Sequence, residues 1–435
     1  MIVAAETSYS VVTTIVVETL PKTSSRINAS LLLKIDSLRT RARLLISLRK
    51  MLSLQPHQDI SAEQWEVLES QLSTVSNKIR QQLRLYTDKY FSERNDPLIR
   101  QTLVNRLGEL EVELTTAYGF YDTFMDILTQ RLSNDIGPLL RGCDAIAAHA
   151  LQRGNISDIT VPPLVYCDRG FGASVLREGV RINQNTPNPI PVIAIPYSRI
   201  NEKYNLISIF HEAGHQAVVK LNMVELWQQV LYEALKKAGA TPLLCNLYAN
   251  WSKEIVPDFW AFCLSGMAQT CSVRDVLILP ASMMFSVSTI QPHPPSYLRF
   301  LLSTDWCRQL WGHGDWDAWE EEWVRLYPLG GLDETTRQLI KEARQCIPVV
   351  SKALLMTRFR KLGNKPITTL FALNTLAPST LKSMATMPGT STDQFKKQPI
   401  GVQLAVFRLM REKRTVRQAD IDQRMDEWLK NLVQK

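Results

Sequence analysis

Apolar residues recur at three- and four-residue spacing through most of the first 154 positions, the period of helices with one buried face. In LLLKIDSLRTRARLLISLRKML the pattern runs on until Pro56 closes it. The next stretch, ISAEQWEVLESQLSTVSNKIRQQLRLYTDKYF, opens with Ser61 as the expected N-cap and Gln64 three residues later, the spacing of a capping box. LIRQTLVNRLGELEVELTTAYGFYDTFMDILTQRL continues the same period. Residues 1–154 are therefore expected to form a mostly helical region, a bundle or arm open to a protein partner. No residues there stand at a spacing that carries chemistry.

The pattern changes after Gly154. ITVPPLVYC and PNPIPVIAIPYSRI are short and rich in Val, Ile and Pro, which predicts strands with turns. The intervening DRGFGASVLREGVRI holds three glycines and predicts a hairpin or loop. From Asn201 the helical period returns and holds to the C-terminus, with one interruption. That is Asn374 to Pro399, whose Ser, Thr and Pro content predicts a loop or linker ahead of a helical segment over 400–435. The expected class is α+β, predominantly helical, with a small β-sheet inside a core spanning 155–373. The first 22 residues, MIVAAETSYSVVTTIVVETLPK, are rich in β-branched residues that suit a strand. They place Glu6 and Glu18 around the apolar stretch and lack a basic lead, so they read as mature protein and not as a secretion signal.

Composition narrows this picture in two ways. At 45% hydrophobic and 21% charged the chain reads as globular, and no apolar run reaches the length that spans a bilayer. The seven cysteines, Cys143, Cys167, Cys245, Cys263, Cys271, Cys307 and Cys346, form no CxxC pair. An odd, scattered set predicts reduced, buried thiols and, with no signal, a cytoplasmic protein. The net charge of +8 permits contact with nucleic acid but does not call for it. The basic groups at Arg358, Arg360, Lys361 and Lys365, and at Arg411, Lys413 and Arg414, have no aromatic ladder beside them. They read as solvated helical faces, and nucleic acid is not an expected partner.

The candidate chemistry lies in YNLISIFHEAGHQAVVKLN, which contains the pattern H-E-x-x-H. On a helix, His211 and His215 project from one face about one turn apart, a separation that suits two nitrogen ligands of one zinc ion. Glu212, rotated roughly 100° from His211, cannot join them as a ligand but can reach a water bound there. The surrounding residues are apolar, so three polar groups among them need a common partner, and a metal with its water satisfies all three. Catalytic zinc takes a third protein ligand. Glu254 in NWSKEIVPDFWAF is the leading candidate, because Glu254 and Asp258 share a helical face. Glu254 would bind the ion while Asp258 fixes the tautomer of a ligand histidine. Glu225, Glu233 or a ligand not visible from spacing remain alternatives, and Pro257 fits only in a first turn or at a kink.

His211-Glu212-x-x-His215 followed by Glu254-x-x-x-Asp258 resembles the zincin metallopeptidases, specifically the gluzincin branch, over about sixty residues. The metzincin continuation is absent after His215, and the interval from His215 to Glu254 is longer than in thermolysin-like enzymes. The resemblance implies a zinc peptidase that hydrolyses peptide bonds with Glu212 as general base. It also implies a substrate-binding edge strand ahead of the active-site helix, at Ile193, Ala194 and Ile195. In IQPHPPSYLRF, prolines on both sides hold His293, which would stabilise the oxyanion, with Tyr297 and Arg299 as substrate-binding candidates. His57, His149 and His313 lack such a context and read as structural or surface residues, and DWDAWEEEW reads as an amphipathic helix docking its indoles. Two rival readings stand beside this one. The first is a non-catalytic helical interaction protein with a structural or vestigial zinc site, and the second is a basic nucleic-acid-associated regulator.

Overall fold

The computed structural model of the protein describes residues 24–45, 48–153, 161–170, 172–183, 186–288, 290–414 and 416–432. The strand expected in the first 22 residues lies outside them. In chain order the helices begin with α1 (Ser24–Leu44), α2 (Leu48–Met51), α3 (Ala62–Tyr90), α4 (Pro97–Thr129) and α5 (Ile136–Leu151). Five strands follow: β1 (Leu164–Asp168), β2 (Ser174–Leu176), β3 (Arg181–Asn183), β4 (Thr186–Pro187) and β5 (Val192–Pro196). Helices resume with α6 (Ser198–Asn201), α7 (Ser208–Lys220), α8 (Val224–Lys237), α9 (Pro242–Ser265) and α10 (Met267–Val276). Next come α11 (Ala281–Met284), α12 (Ser296–Trp311), α13 (Asp315–Leu326) and α14 (Glu334–Met356). A two-residue pair, β6 (Arg358–Phe359) and β7 (Lys365–Pro366), precedes α15 (Pro378–Met384), α16 (Asp393–Lys396), α17 (Ile400–Lys413) and α18 (Gln418–Leu432). The protein is predominantly helical α+β with a small sheet.

Two compact units share the chain, Met1–Leu48 with Leu72–Tyr121, and Arg49–Gln71 with Asp122–Lys435. The division falls within α3 and α4, where the apolar period is unbroken, so no compositional change marks it.

In the first unit, Leu31, Ile35, Leu38 and Ala42 of α1 are buried, as are Leu103, Leu107, Leu110 and Leu114 of α4. Steps of four and three residues are the heptad seam of a coiled coil. In α3 the seam runs Leu72, Ser76, Ile79 and Leu83, with a hydroxyl in an apolar row. Ser76 Oγ donates to the Ala42 carbonyl at 2.6 Å, which satisfies the buried polar atom and ties α3 to α1. At the flank of the seam, Glu111 accepts from Lys34 at 2.7 Å and from both terminal nitrogens of Arg41. Chiefly the Arg41 hydrogen bonds, opposed by burial and joined by Lys34, bring the Glu111 carboxyl down to about 2.

In the second unit the main sheet has the order β1-β5-β2, β1 parallel and β2 antiparallel to the central β5. All five residues of β5 are buried. The outer edge of β1 is closed by side chains instead of a strand. Gln130 donates to the Cys167 carbonyl at 2.7 Å and accepts from the Cys167 amide at 2.8 Å. Asp144 accepts from the Val165 amide at 2.8 Å, and Arg131 donates to the Val165 carbonyl at 3.0 Å. Arg131 and Asp144 are themselves paired through two 2.9 Å contacts, and both are buried. The ion pair thus docks α5 on the sheet while satisfying backbone that an edge strand leaves open.

Helix α9 is buried nearly all round from Trp251 to Ser265, the character of a helix at the centre of a core. Trp260 Nε1 donates to the Ala150 carbonyl of α5 at 3.1 Å, and the Tyr248 hydroxyl to the Ala343 carbonyl of α14 at 2.7 Å. Phe259 and Phe262 pack on Trp306 of α12 with ring centroids 5.3 and 5.4 Å away. The stretch expected as a loop or linker over 374–399 contains the short helices α15 and α16. It buries Leu376, Leu381, Met384 and Phe395 in the core and is not a free linker; Pro378 opens α15 and Thr392 caps α16. The capping box at α3 forms as expected, with Ser61 amide to Gln64 Oε1 at 2.8 Å and Gln64 amide to Ser61 Oγ at 3.2 Å. All seven cysteines are free and buried, and no helix among the described residues is long and apolar enough to cross a membrane.

Two consequences can be measured. Arg131→Met leaves Asp144 buried without its partner, and urea unfolding is expected to show a loss of about 3–5 kcal/mol. Glu111 is held below its ordinary value, so its stabilisation is complete above the unfolded carboxyl pKa of about 4.5 and is lost as pH falls toward about 2. Glu111→Gln is expected to cost about 1 kcal/mol at pH 7 and to flatten this part of an acid titration followed by circular dichroism.

Candidate metal centre

The centre is assembled by the crossing of α7 and α9. Gly214 of α7 lies against Pro257 of α9 so closely that a Cβ there would stand 3.0 Å from Pro257 Cα and 3.1 Å from Trp260 Cβ. His211 and His215 sit on either side of Gly214 in the chain, and Glu254 and Asp258 on either side of Pro257. The close approach brings the two pairs face to face. Thr241 caps the start of α9 through the Leu244 amide, with Pro242 in its first position. Pro257 lies well inside the helix, where it withholds a backbone donor that the Lys253 carbonyl would otherwise receive.

His211 Nε2 is 3.2 Å from His215 Nε2 and 3.3 Å from Glu254 Oε2, and His215 Nε2 is 3.7 Å from Glu254 Oε1. These three residues form a group that could hold a metal ion. On the other side of the ring, His211 Nδ1 meets Asp258 Oδ1 at 2.8 Å. Arg299 of α12 grips the same carboxylate with two contacts, Nε to Oδ2 and Nη2 to Oδ1, both 2.8 Å. Such a fork fixes Asp258 in position and in the charged state. With Nδ1 donating to Asp258, the neutral His211 ring turns the lone pair of Nε2 toward a carboxylate oxygen and a second imidazole nitrogen. Three acceptors facing one point repel unless a cation lies between them, so the donor set fits a metal ion.

The protonation of the bare site expresses the same demand. Burial lowers the His211 pKa, but the charge and hydrogen bond of Asp258, with Glu254, outweigh it and hold the imidazole up at about 10. His215, desolvated and facing a charged His211, falls to about 3. One positive charge is therefore favoured at this point and a second is not. Asp258 is held well below the carboxylate range, Arg299 and His211 overcoming its burial. Glu212 is buried and does not join the ligand atoms. Its desolvation, with Glu254 nearby and against the pull of His211, raises its carboxyl above the ordinary value.

All these groups line one cavity of about 980 Å³, which also takes in Ser174 and Val175 of β2, Arg177, Trp227 of α8 and His293. His293 Nε2 stands 3.6 Å from Glu254 Oε1 at the rim, its side chain 58% exposed. Glu225 lines the wall apart from the converging atoms, and Glu233 does not reach the cavity.

Three sequence expectations are corrected here. Ile193, Ala194 and Ile195 are not an edge. They belong to the central strand β5, with β1 on one side and β2 on the other. The Leu164 amide donates to the Pro191 carbonyl, so odd positions of β5 face β1 and even positions face β2. Ser174 and Leu176 then turn their amides to β5, and Val175 presents its own outward. Among the described residues the open edge is β2, which lies in the glycine-rich stretch expected to form a hairpin or loop. Tyr297 is fully buried against Phe285 and does not line the cavity. Arg299 does line it, but its guanidinium is engaged by Asp258 and is not free for substrate. Of the remaining histidines, His149 stands beside Arg153 at 3.0 Å and His313 beside Asp317 at 3.1 Å, both apart from the centre.

Arg299→Met is expected to weaken affinity for a divalent probe ion such as cobalt by about 10–100-fold, read by competition with a chelator. A melting curve on the same sample separates this loss from a loss of fold.

Compared with known proteins, the chain matches no family model, no curated protein and no solved structure.

Proposed function

We propose that the protein is a zinc-dependent peptidase that cleaves peptide bonds with Glu212 as general base. The observation that carries this reading is the convergence of His211, His215 and Glu254 beside a buried glutamate that is not one of them, all on one open cavity. Two imidazoles and a carboxylate are the donor set of catalytic zinc, and the resemblance to gluzincins points the same way. Zinc bound there would polarise the scissile carbonyl and bring the pKa of a water toward neutrality.

The chain's own residues do the rest. Glu212, with its proton affinity raised by burial, accepts a proton from the attacking water and delivers it to the leaving nitrogen. Asp258, pinned by Arg299, keeps His211 in the tautomer that presents Nε2 to the site. His293 at the rim donates to the oxygen on which charge develops. The outward amide and carbonyl of Val175 hold an extended peptide by main-chain hydrogen bonds.

The rival, a helical interaction protein with a structural metal, requires a fourth protein ligand. Its support is the 3.6 Å between His293 Nε2 and Glu254 Oε1, since a small movement of the exposed ring would bring it toward the ion. Metal content by mass spectrometry and peptide turnover, measured together, separate the two. The peptidase reading expects near-stoichiometric zinc in wild type and in Glu212→Gln, no zinc in His211→Ala, and turnover lowered about 10²–10⁴-fold by Glu212→Gln. Full zinc occupancy with no cleavage by wild type across a broad peptide library would leave the structural reading in place.

A further inference from the structure

The charges around the cavity do not balance once the centre is filled. A divalent ion together with Arg299 offsets Glu212, Glu254 and Asp258. What remains on the lining is Arg177, Arg199 and Lys253 against Glu225. Arg199 is ion-paired with Glu202 at 3.2 Å, and Lys253 is exposed and bonded to Asn250 at 3.1 Å. Arg177 differs from both. It is half-buried on the cavity wall, yet among the described residues its guanidinium has neither an ion-pair nor a hydrogen-bond partner. It lines the same cavity as His215.

Its position is set by the sheet. Arg177 directly follows β2, whose Ser174 and Val175 also line the cavity. A peptide laid along the outward edge at Val175 would pass a guanidinium that the described residues leave without a partner. A carboxylate entering the cavity would engage such a fork through two parallel charge-assisted hydrogen bonds.

We propose that Arg177 makes this cavity selective for peptides that carry a carboxylate close to the bond being cut. The inference rests on the reading of the cavity as a peptide cleft. The carboxylate has two sources, an acidic side chain or the free C-terminus of a short peptide.

The test uses full-length, zinc-loaded Glu212→Gln protein and three synthetic peptides of one length. One is amidated with a central glutamate, one is its glutamine counterpart, and one is the glutamine peptide with a free C-terminal carboxyl. Calorimetry is expected to show one of the two acid-bearing peptides bound about tenfold or more tightly than the neutral one, which identifies the source. Adding Arg177→Gln should abolish the difference, and Arg177→Glu should turn the preference toward a peptide with a central lysine. Arg177 is half-buried and unpaired, so these variants should melt with the parent. Equal or absent binding of the three peptides, or a preference that survives Arg177→Gln, overturns the proposal. Cleavage of the same peptides by wild type separates it from the peptidase reading. Binding preference with no cleavage of these peptides or of the broad library keeps the carboxylate site and sinks the peptidase, whereas cleavage without preference does the reverse.

Discussion

The contact on which this site depends is the approach of α7 to α9 at Gly214 and Pro257. One helix carries His211 and His215 and the other Glu254 and Asp258, and these short side chains meet only because the axes come close. Histidine, glutamate and aspartate are all short, and none of them spans the gap that a pair of ordinary side chains would wedge between the helices. A hydrogen on one side and a flat pyrrolidine ring on the other remove that wedge. The interior around the crossing is filled by Trp260, Phe259 and Phe262, whose packing leaves little room for the helices to slide. Precision at the ligand atoms is thus inherited from apolar contacts that carry no chemistry.

That precision holds together a set of charges unfavourable in itself. Glu212, Glu254 and Asp258 are all buried within one small region. Arg299 neutralises Asp258, and a proton or a metal at His211 and His215 answers Glu254. Glu212 has no cation of its own and is held by geometry in surroundings that disfavour its charge. Such an arrangement opposes folding locally and is tolerated because the core beneath it is large and aromatic.

Much of this could be read from the order of residues. His211 with His215, and Glu254 with Asp258, stand four apart, and a helix turns that interval into a shared face whatever else the chain does. The partnership between the two pairs was legible as an expectation because both lie in apolar surroundings that would reject isolated polar groups. Other features were decided by pairing at a distance. The residues of β5 look the same whether one neighbour or two flank them, and only the seating of β1 and the three residues of β2 makes β5 central. Tyr297 and Arg299 are two apart on α12 and so point to nearly opposite sides, one into the core and one toward Asp258. The spacing alone could not tell which side faced the centre. Arg177 drew no notice because a single arginine after a glycine-rich stretch has no pattern.

With β1 closed by Gln130, Arg131 and Asp144, the sheet is left, among the described residues, with an unpaired margin at β2. An exposed strand margin is a template for any extended chain, including another copy of the same protein, and long margins of this kind seed fibrils. Here the hazard is contained by brevity. Three residues offer too few rungs to start a stack of chains, and the next side chain is a cation that would repel its counterpart on an identical neighbour laid alongside. The margin proposed to hold a substrate peptide is therefore poorly suited to self-assembly.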